Sequence, residues 1–143
     1  QKLEQELQQQ IQPRPDYQLL QSVPGIGQIL GTTIALETGT IERFASAGNY
    51  ASYARCVKSE KISNGKRKGQ GNKKNGNKYL AWAFLEAGHY GSIWDQRIKR
   101  YYQRKKDKGH ILVAKKAVAN KLARACYHML KRHEAFDVTR AFS

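Results

Sequence analysis

Between Val57 and Tyr79 the chain crosses a stretch that no hydrophobic core can absorb. It reads Lys58-Ser59-Glu60-Lys61-Ile62-Ser63-Asn64-Gly65-Lys66-Arg67-Lys68-Gly69-Gln70-Gly71-Asn72-Lys73-Lys74-Asn75-Gly76-Asn77-Lys78, with Lys and Arg far outnumbering the single Glu. Such a segment buries too little apolar surface to offset the entropy of ordering it. Any fold must therefore be assembled from the periodic apolar segments on either side, leaving this stretch to solvent or a polyanion. The whole chain leans the same way: 26 Lys and Arg against 11 Asp and Glu give a net charge of +15 and a pI near 10.0. That balance favours nucleic acid or an anionic membrane surface. Membrane insertion is disfavoured, because no apolar run approaches the roughly 20 residues that span a bilayer and no signal-peptide pattern opens the chain.

With 143 residues, one domain with a modest core is expected. Leu3, Leu7 and Ile11 recur every four residues and read as the end of a coiled-coil or linker helix over 1–15, stopped by Pro13 and Pro15. The chain starts at Gln1 without a Met, so we expect a fragment with an N-terminal partner domain missing. A short helix over 17–22, the turn Val23-Pro24-Gly25-Ile26-Gly27 and a second helix over 28–38 ending at Gly39 look like a helix-hairpin-helix. Gly31 would stand where the two helices cross. Ser46 is a candidate N-cap for a helix through about Val57 that buries Tyr50, Tyr53 and Ala54. Asn77 opens an amphipathic helix with Leu80, Ala83, Phe84 and Ala87 on one face. Helix continues from Ile93 to Lys108 with Trp94, Ile98 and Tyr101 or Tyr102 inward, broken by Gly109. A last helix over 110–132 carries Ala114, Ala117, Val118, Leu122, Ala125 and Met129 as its stripe. Strand-like alternation is nearly absent. The fold class is mainly α: a compact, helix-hairpin-helix-containing domain with a long basic loop or a short β-hairpin insertion.

The chemistry-bearing residues are few. Gly25 and Gly27 let the backbone turn, and amides at the second helix's N-terminus suit a phosphate; an ordinary turn between core helices fits the same residues. Lys58, Lys61, Lys66, Arg67, Lys68, Lys73, Lys74 and Lys78 form the principal polyanion-binding set, joined by a second basic cluster that includes Arg100 and Arg104. Asn64-Gly65 signals a type I′ turn, which makes the stretch either a short ribbon with Ser63 at its tip or a segment ordered only by its ligand. Read from its neighbours alone, Ser63 is a turn residue. Lys61, Lys66, Arg67 and Lys68 could stabilise an attacked phosphate, but no base is evident. His89, His110, His128 and His133 have no metal-ligand spacing, and Glu37, Glu42, Asp95, Asp107 and Asp137 are scattered, which argues against a self-sufficient metal-dependent nuclease. Glu86 and His89 share a helical face and suit its exposed side. Trp82 and Trp94 are expected in the core, Tyr101 or Tyr102 beside Arg100 could stack on a base, and Cys56 and Cys126 read as small apolar fillers of a reducing compartment.

Four short runs in order carry a resemblance: Ser22-Val23-Pro24-Gly25-Ile26-Gly27; Arg43-Phe44-Ala45-Ser46 with Tyr53-Ala54; Ser63-Asn64-Gly65-Lys66; and Asn75-Gly76-Asn77-Lys78-Tyr79-Leu80. Together they resemble the C-terminal transposase domain of a bacterial insertion-sequence family of bridge-RNA-guided recombinases, to which Piv-type invertases are related. The likeness spans roughly Leu19 to Arg132. It implies a domain over 16–143, with the helix-hairpin-helix at 17–39, a catalytic loop at 57–78 and a helical part at 79–132. It further implies that Ser63 is the nucleophile that becomes linked to DNA. A RuvC-like domain outside this chain would hold the acids and their Mg2+, with no cofactor in the chain itself. DNA and a guide RNA would be the partners, in a homo-oligomer of the full-length protein within the bacterial cytoplasm and its nucleoid. Two departures bear on the loop path rather than on the serine: Arg55 and Lys58 stand where many members have Gly and Pro, and Ala81 where many have Arg. The fragment alone should bind nucleic acid without cleaving it. The rival reading is a non-catalytic helix-hairpin-helix nucleic-acid-binding module.

Overall fold

The computed structural model describes residues 14–57 and 76–142, and all of their regular structure is helical. The expected helix over the first residues and the ribbon or loop around Asn64-Gly65 lie outside the described residues. Helix α1 (Pro15–Leu20) begins where the sequence suggested only a stop: Pro15 occupies its first turn, where a missing N–H leaves no bond unmade. Helix α2 (Gln28–Thr38) follows the Pro24–Gly27 turn and ends at Gly39, whose φ of 66° suits a residue without Cβ. A single 3-10 turn (Ile41–Arg43) leads to α3 (Ala47–Tyr53), capped by the Ser46 hydroxyl, which accepts from the Asn49 N–H at 3.1 Å.

Helix α3 stops at Tyr53, not near Val57. Arg55 takes a left-handed conformation (φ 58°), its N–H donating to Ser52 O and the Cys56 N–H to Ala51 O, both at 2.9 Å. This is a Schellman closure with an arginine where glycine is usual. After the basic stretch, α4 (Lys78–Trp94) and α5 (Gln96–Lys108) form two helices rather than one continuous run. Asp95 separates them, its carboxylate accepting from the Arg97 and Ile98 amides at 2.9 and 3.1 Å. Helix α6 (Ile111–Arg132) starts at His110, ends with His133 in the left-handed region, and is followed by a short α7 (Val138–Ala141) with Asp137 as its cap. This C-terminal return carried no apolar period and was not foreseen. It is anchored by Phe142, buried 5.3 Å from the Tyr101 ring.

Helix α6 is the central element, packed against α1, α3, α4, α5 and α7. Ala114, Val118, Leu122 and Met129 are buried as the stripe demands, while Ala117 and Ala125 sit at its margin and Ala119, Ala123, Cys126 and Leu130 widen it. Tyr50, Phe84, Leu80 and Ile98 complete the interior, with Tyr50 edge-on to Phe44 and Phe84. Tyr53 is only half buried. The tryptophans are a clear correction: Trp82 is 47% and Trp94 72% exposed. Helix α4 buries Leu80, Ala83, Phe84, Ala87, Gly88 and Gly91 instead, and the tryptophans stand on its other side.

Candidate nucleic-acid interface

Both described ends of the basic stretch emerge at one place. The Asn77 N–H donates to Tyr53 O at 2.6 Å, and an Arg55 Nη2 donates to Gly76 O at 3.4 Å. A Cβ on Gly76 would stand 2.7 Å from Arg55 Nε, so a larger residue there would displace the Arg55 side chain. Asn77 then works in three directions. Its Oδ1 accepts from the Tyr79 and Leu80 amides, both at 2.9 Å, closing the start of α4. Its Nδ2 donates to Glu37 Oε1 at 2.8 Å and to the Tyr53 hydroxyl at 3.4 Å. The last turn of α2, the last residue of α3 and the first turn of α4 are thereby held by one side chain.

Arg43 braces the same corner. Its Nε donates to Thr38 O at 3.0 Å and its Nη2 to Glu37 O at 3.3 Å, while its guanidinium lies 4.5 Å from the Phe44 ring centre and 5.0 Å from that of Tyr53. The Arg43 guanidinium and the Asn77 amide, as donors, hold the Tyr53 hydroxyl below the usual tyrosine value. Thr38 and Tyr50 share a buried hydrogen bond of 2.6 Å underneath. Glu37, Arg43, Tyr53 and Asn77 thus form a polar seat beside the two described ends of the basic stretch, which residue-by-residue reading did not assemble. Arg43, Tyr53 and Asn77 all fall in the runs that carried the resemblance, which was the available signal.

Ser63, Lys58, Lys61, Lys66, Arg67, Lys68, Lys73 and Lys74 lie outside the described residues. Lys78 is exposed at the start of α4, its Nζ 5.4 Å from the Tyr79 ring centre. Arg100 and Arg104 are exposed on α5, Arg104 5.7 Å from the Tyr101 ring centre. Tyr101 itself is buried and Tyr102 partly so, which leaves Tyr101 no open face for a base. The two glycines of the turn part company. Gly25, at φ 105°, packs on α4, and a Cβ there would meet the backbone of Ala87 and stand 2.6 Å from Gly91 N. Gly27 is exposed at the N-cap of α2, with nothing within 4 Å of an added Cβ and no side chain capping the helix. A Cβ on Gly31 would stand 3.2 Å from Tyr17 Cε1, so α2 approaches α1 closely there.

Cys56 and Cys126 are buried and unpaired, and burial pushes both thiols up to about 12, so neither is a nucleophile at neutral pH. Among the described residues no group of three His, Cys, Asp or Glu is placed to hold a metal ion, and Glu37 spends its carboxylate on Asn77. No described helix is long and apolar enough to cross a membrane.

No curated protein sequence matches the chain at a significant level. A protein-family model does, and its match starts in α1, runs across both ends of the basic stretch and stops within α5. That model is the transposase IS116/IS110/IS902 family, it covers residues 17–103, more than half of the sequence, and the chain belongs to this transposase family.

Proposed function

We propose that the chain carries the serine-bearing, DNA-joining part of a transposase active site. The observation that supports this most directly is that the family match runs through 17–103, enclosing Ser63 and the polar seat from which its loop departs. In the proposed step, Ser63 Oγ attacks a DNA phosphodiester. A bond forms between Oγ and phosphorus, one P–O ester bond breaks, the serine proton passes to a base, and the departing oxygen takes up a proton. Lys61, Lys66, Arg67 and Lys68 would neutralise the phosphate as it becomes pentacoordinate. Glu37, Arg43, Tyr53 and Asn77 do no bond-breaking here; they fix the two ends of the loop and so narrow where it can reach.

The resemblance adds the parts this chain does not offer: a RuvC-like domain with its acids, a guide RNA, and association of protomers. Magnesium held by that domain would polarise the scissile phosphate. The described residues of this chain do not fit a magnesium ion, so none of the step above is routed through one. The test is a protein–DNA adduct assay on the full-length protein with its RNA. Ser63→Ala should abolish the denaturant-resistant adduct while leaving DNA affinity within about twofold. Adduct at the wild-type level would overturn the assignment, with Ser59 the next residue to test. The isolated chain should bind DNA without cleaving it, and if about six cations touch phosphates, log K should fall with log salt at a slope near −5.

A further inference from the structure

Beyond its first turn, where Lys78 and Tyr79 border the site described above, the outer face of α4 has no part in that site. Steps of three and four residues return to one side of a helix. In α4 those steps run through Tyr79, Trp82, Glu86, Tyr90 and Ile93, and Trp94 stands beside the end of the row. Tyr79 and Tyr90 are 53% and 44% exposed, so with the two exposed tryptophans the row offers four open rings. At 1.5 Å per residue it extends about 22 Å along the helix. Neither indole N–H has a hydrogen-bond partner among the described residues.

Cations border the row. Lys78 lies against the Tyr79 ring, and Arg55, Lys115 and Lys116 line a groove of about 760 Å³ between α4 and α6, with Tyr90 and Leu112 on its wall. On the opposite flank Tyr90 and Trp94 form an open cleft with Gly27 and Ile29 at the start of α2. Glu86 is the one acid in the row. A protein partner covering this face would have to strip water from those cations. A nucleic-acid strand brings phosphates that replace the water, and bases whose faces stack on the rings.

We propose that the outer face of α4 is a stacking platform for the unpaired bases of a single nucleic-acid strand, whose phosphates follow Lys78, Arg55, Lys115 and Lys116. The bases of a duplex are already stacked on each other, so the platform prefers single strands. It rests on the proposed function only in requiring that nucleic acid reach the chain.

The experiment uses the whole chain with a 20-nucleotide oligo-dT and a 20-base-pair duplex, read by tryptophan emission and by anisotropy of the labelled strand. Oligo-dT should quench the tryptophans. Trp94→Ala should weaken oligo-dT binding about tenfold, with Trp94→Phe retaining most of the affinity and duplex binding changing less than about twofold. Trp82→Ala should act in the same direction, and both side chains are exposed enough that the helical circular dichroism should not change. Unaltered oligo-dT affinity in both alanine variants would overturn the platform. So would tryptophan emission that shifts with protein concentration in the absence of DNA alongside a sedimenting dimer, since the face would then join two copies. A full-length protein that forms the Ser63 adduct normally while Trp94→Ala leaves strand binding untouched sinks the platform alone.

Discussion

Asn77 shows how much of this fold passes through single polar side chains. It caps α4 with its oxygen and ties α2 and α3 with its nitrogen. Asn77→Ala should lower stability by about 1–2 kcal/mol in urea denaturation, from the lost cap and an orphaned Glu37 contact. Asn77→Ser, which can keep the cap but cannot reach Glu37, should fall between the two. Its role as a helix start was readable, because an amide followed by apolar residues at helical spacing is a local signal. The bond to Glu37 was not, since it joins residues 40 apart in sequence and polar pairs leave no period. Arg55 hid for a different reason. A helix end marked by glycine can be seen in a sequence, whereas an arginine in the left-handed region looks like more helix.

At the level of helices, period identified almost every element, and phase was the harder quantity. Helix α4 has large apolar side chains around most of its circumference: Leu80 and Phe84 point inward, Trp82, Leu85, Ile93 and Trp94 outward. Hydrophobicity alone cannot rank those faces. Small residues decide it, because Ala87, Gly88 and Gly91 let the Pro24–Gly25 turn and α6 approach on one side only; a Cβ on Gly91 would stand 2.8 Å from Pro24 O. Gly91→Ala should cost about 1–3 kcal/mol by overpacking, and Gly25→Ala at least as much because its φ of 105° is added strain. Gly27→Ala should leave the melting temperature within about 2 °C of the parent, there being no neighbour to displace. The same variant tests the phosphate role separately: weaker DNA binding at unchanged stability would place the contact at Gly27 rather than at the packed Gly25. The expected helix over 93–108 shows the same limit, since Asp95 interrupts the backbone without interrupting the apolar spacing.

Over the whole molecule, a charge of +15 is carried outside an interior that is almost wholly apolar or neutral. Its titratable groups stay protonated and so uncharged. Burial raises the thiols of Cys56 and Cys126 from an ordinary value of 9.0 to about 12 and pushes the Tyr50 hydroxyl upward as well. The unfolded chain loses those thiol protons near pH 9 and the native state does not. Their stabilising contribution is therefore complete below pH 9 and falls away as the pH rises from there toward 12. Unfolding free energies from urea denaturation should decline between pH 9 and 10.5, by about 1.4 kcal/mol per pH unit for each thiol at the steepest, and Cys126→Ala should make the decline shallower. Charge was legible from composition at once. That the two ends of the basic stretch would meet was not, because the convergence of Arg55 with Gly76 and of Tyr53 with Asn77 is a product of tertiary packing. That convergence separates the folding problem from the chemical one. With its two anchor points already fastened, the chain running between them can change in length or sequence at little expense, since doubling a closed loop costs only about 0.6 kcal/mol. The helical body can thus stay constant while the segment proposed to meet DNA diversifies, like an interchangeable blade in a fixed handle.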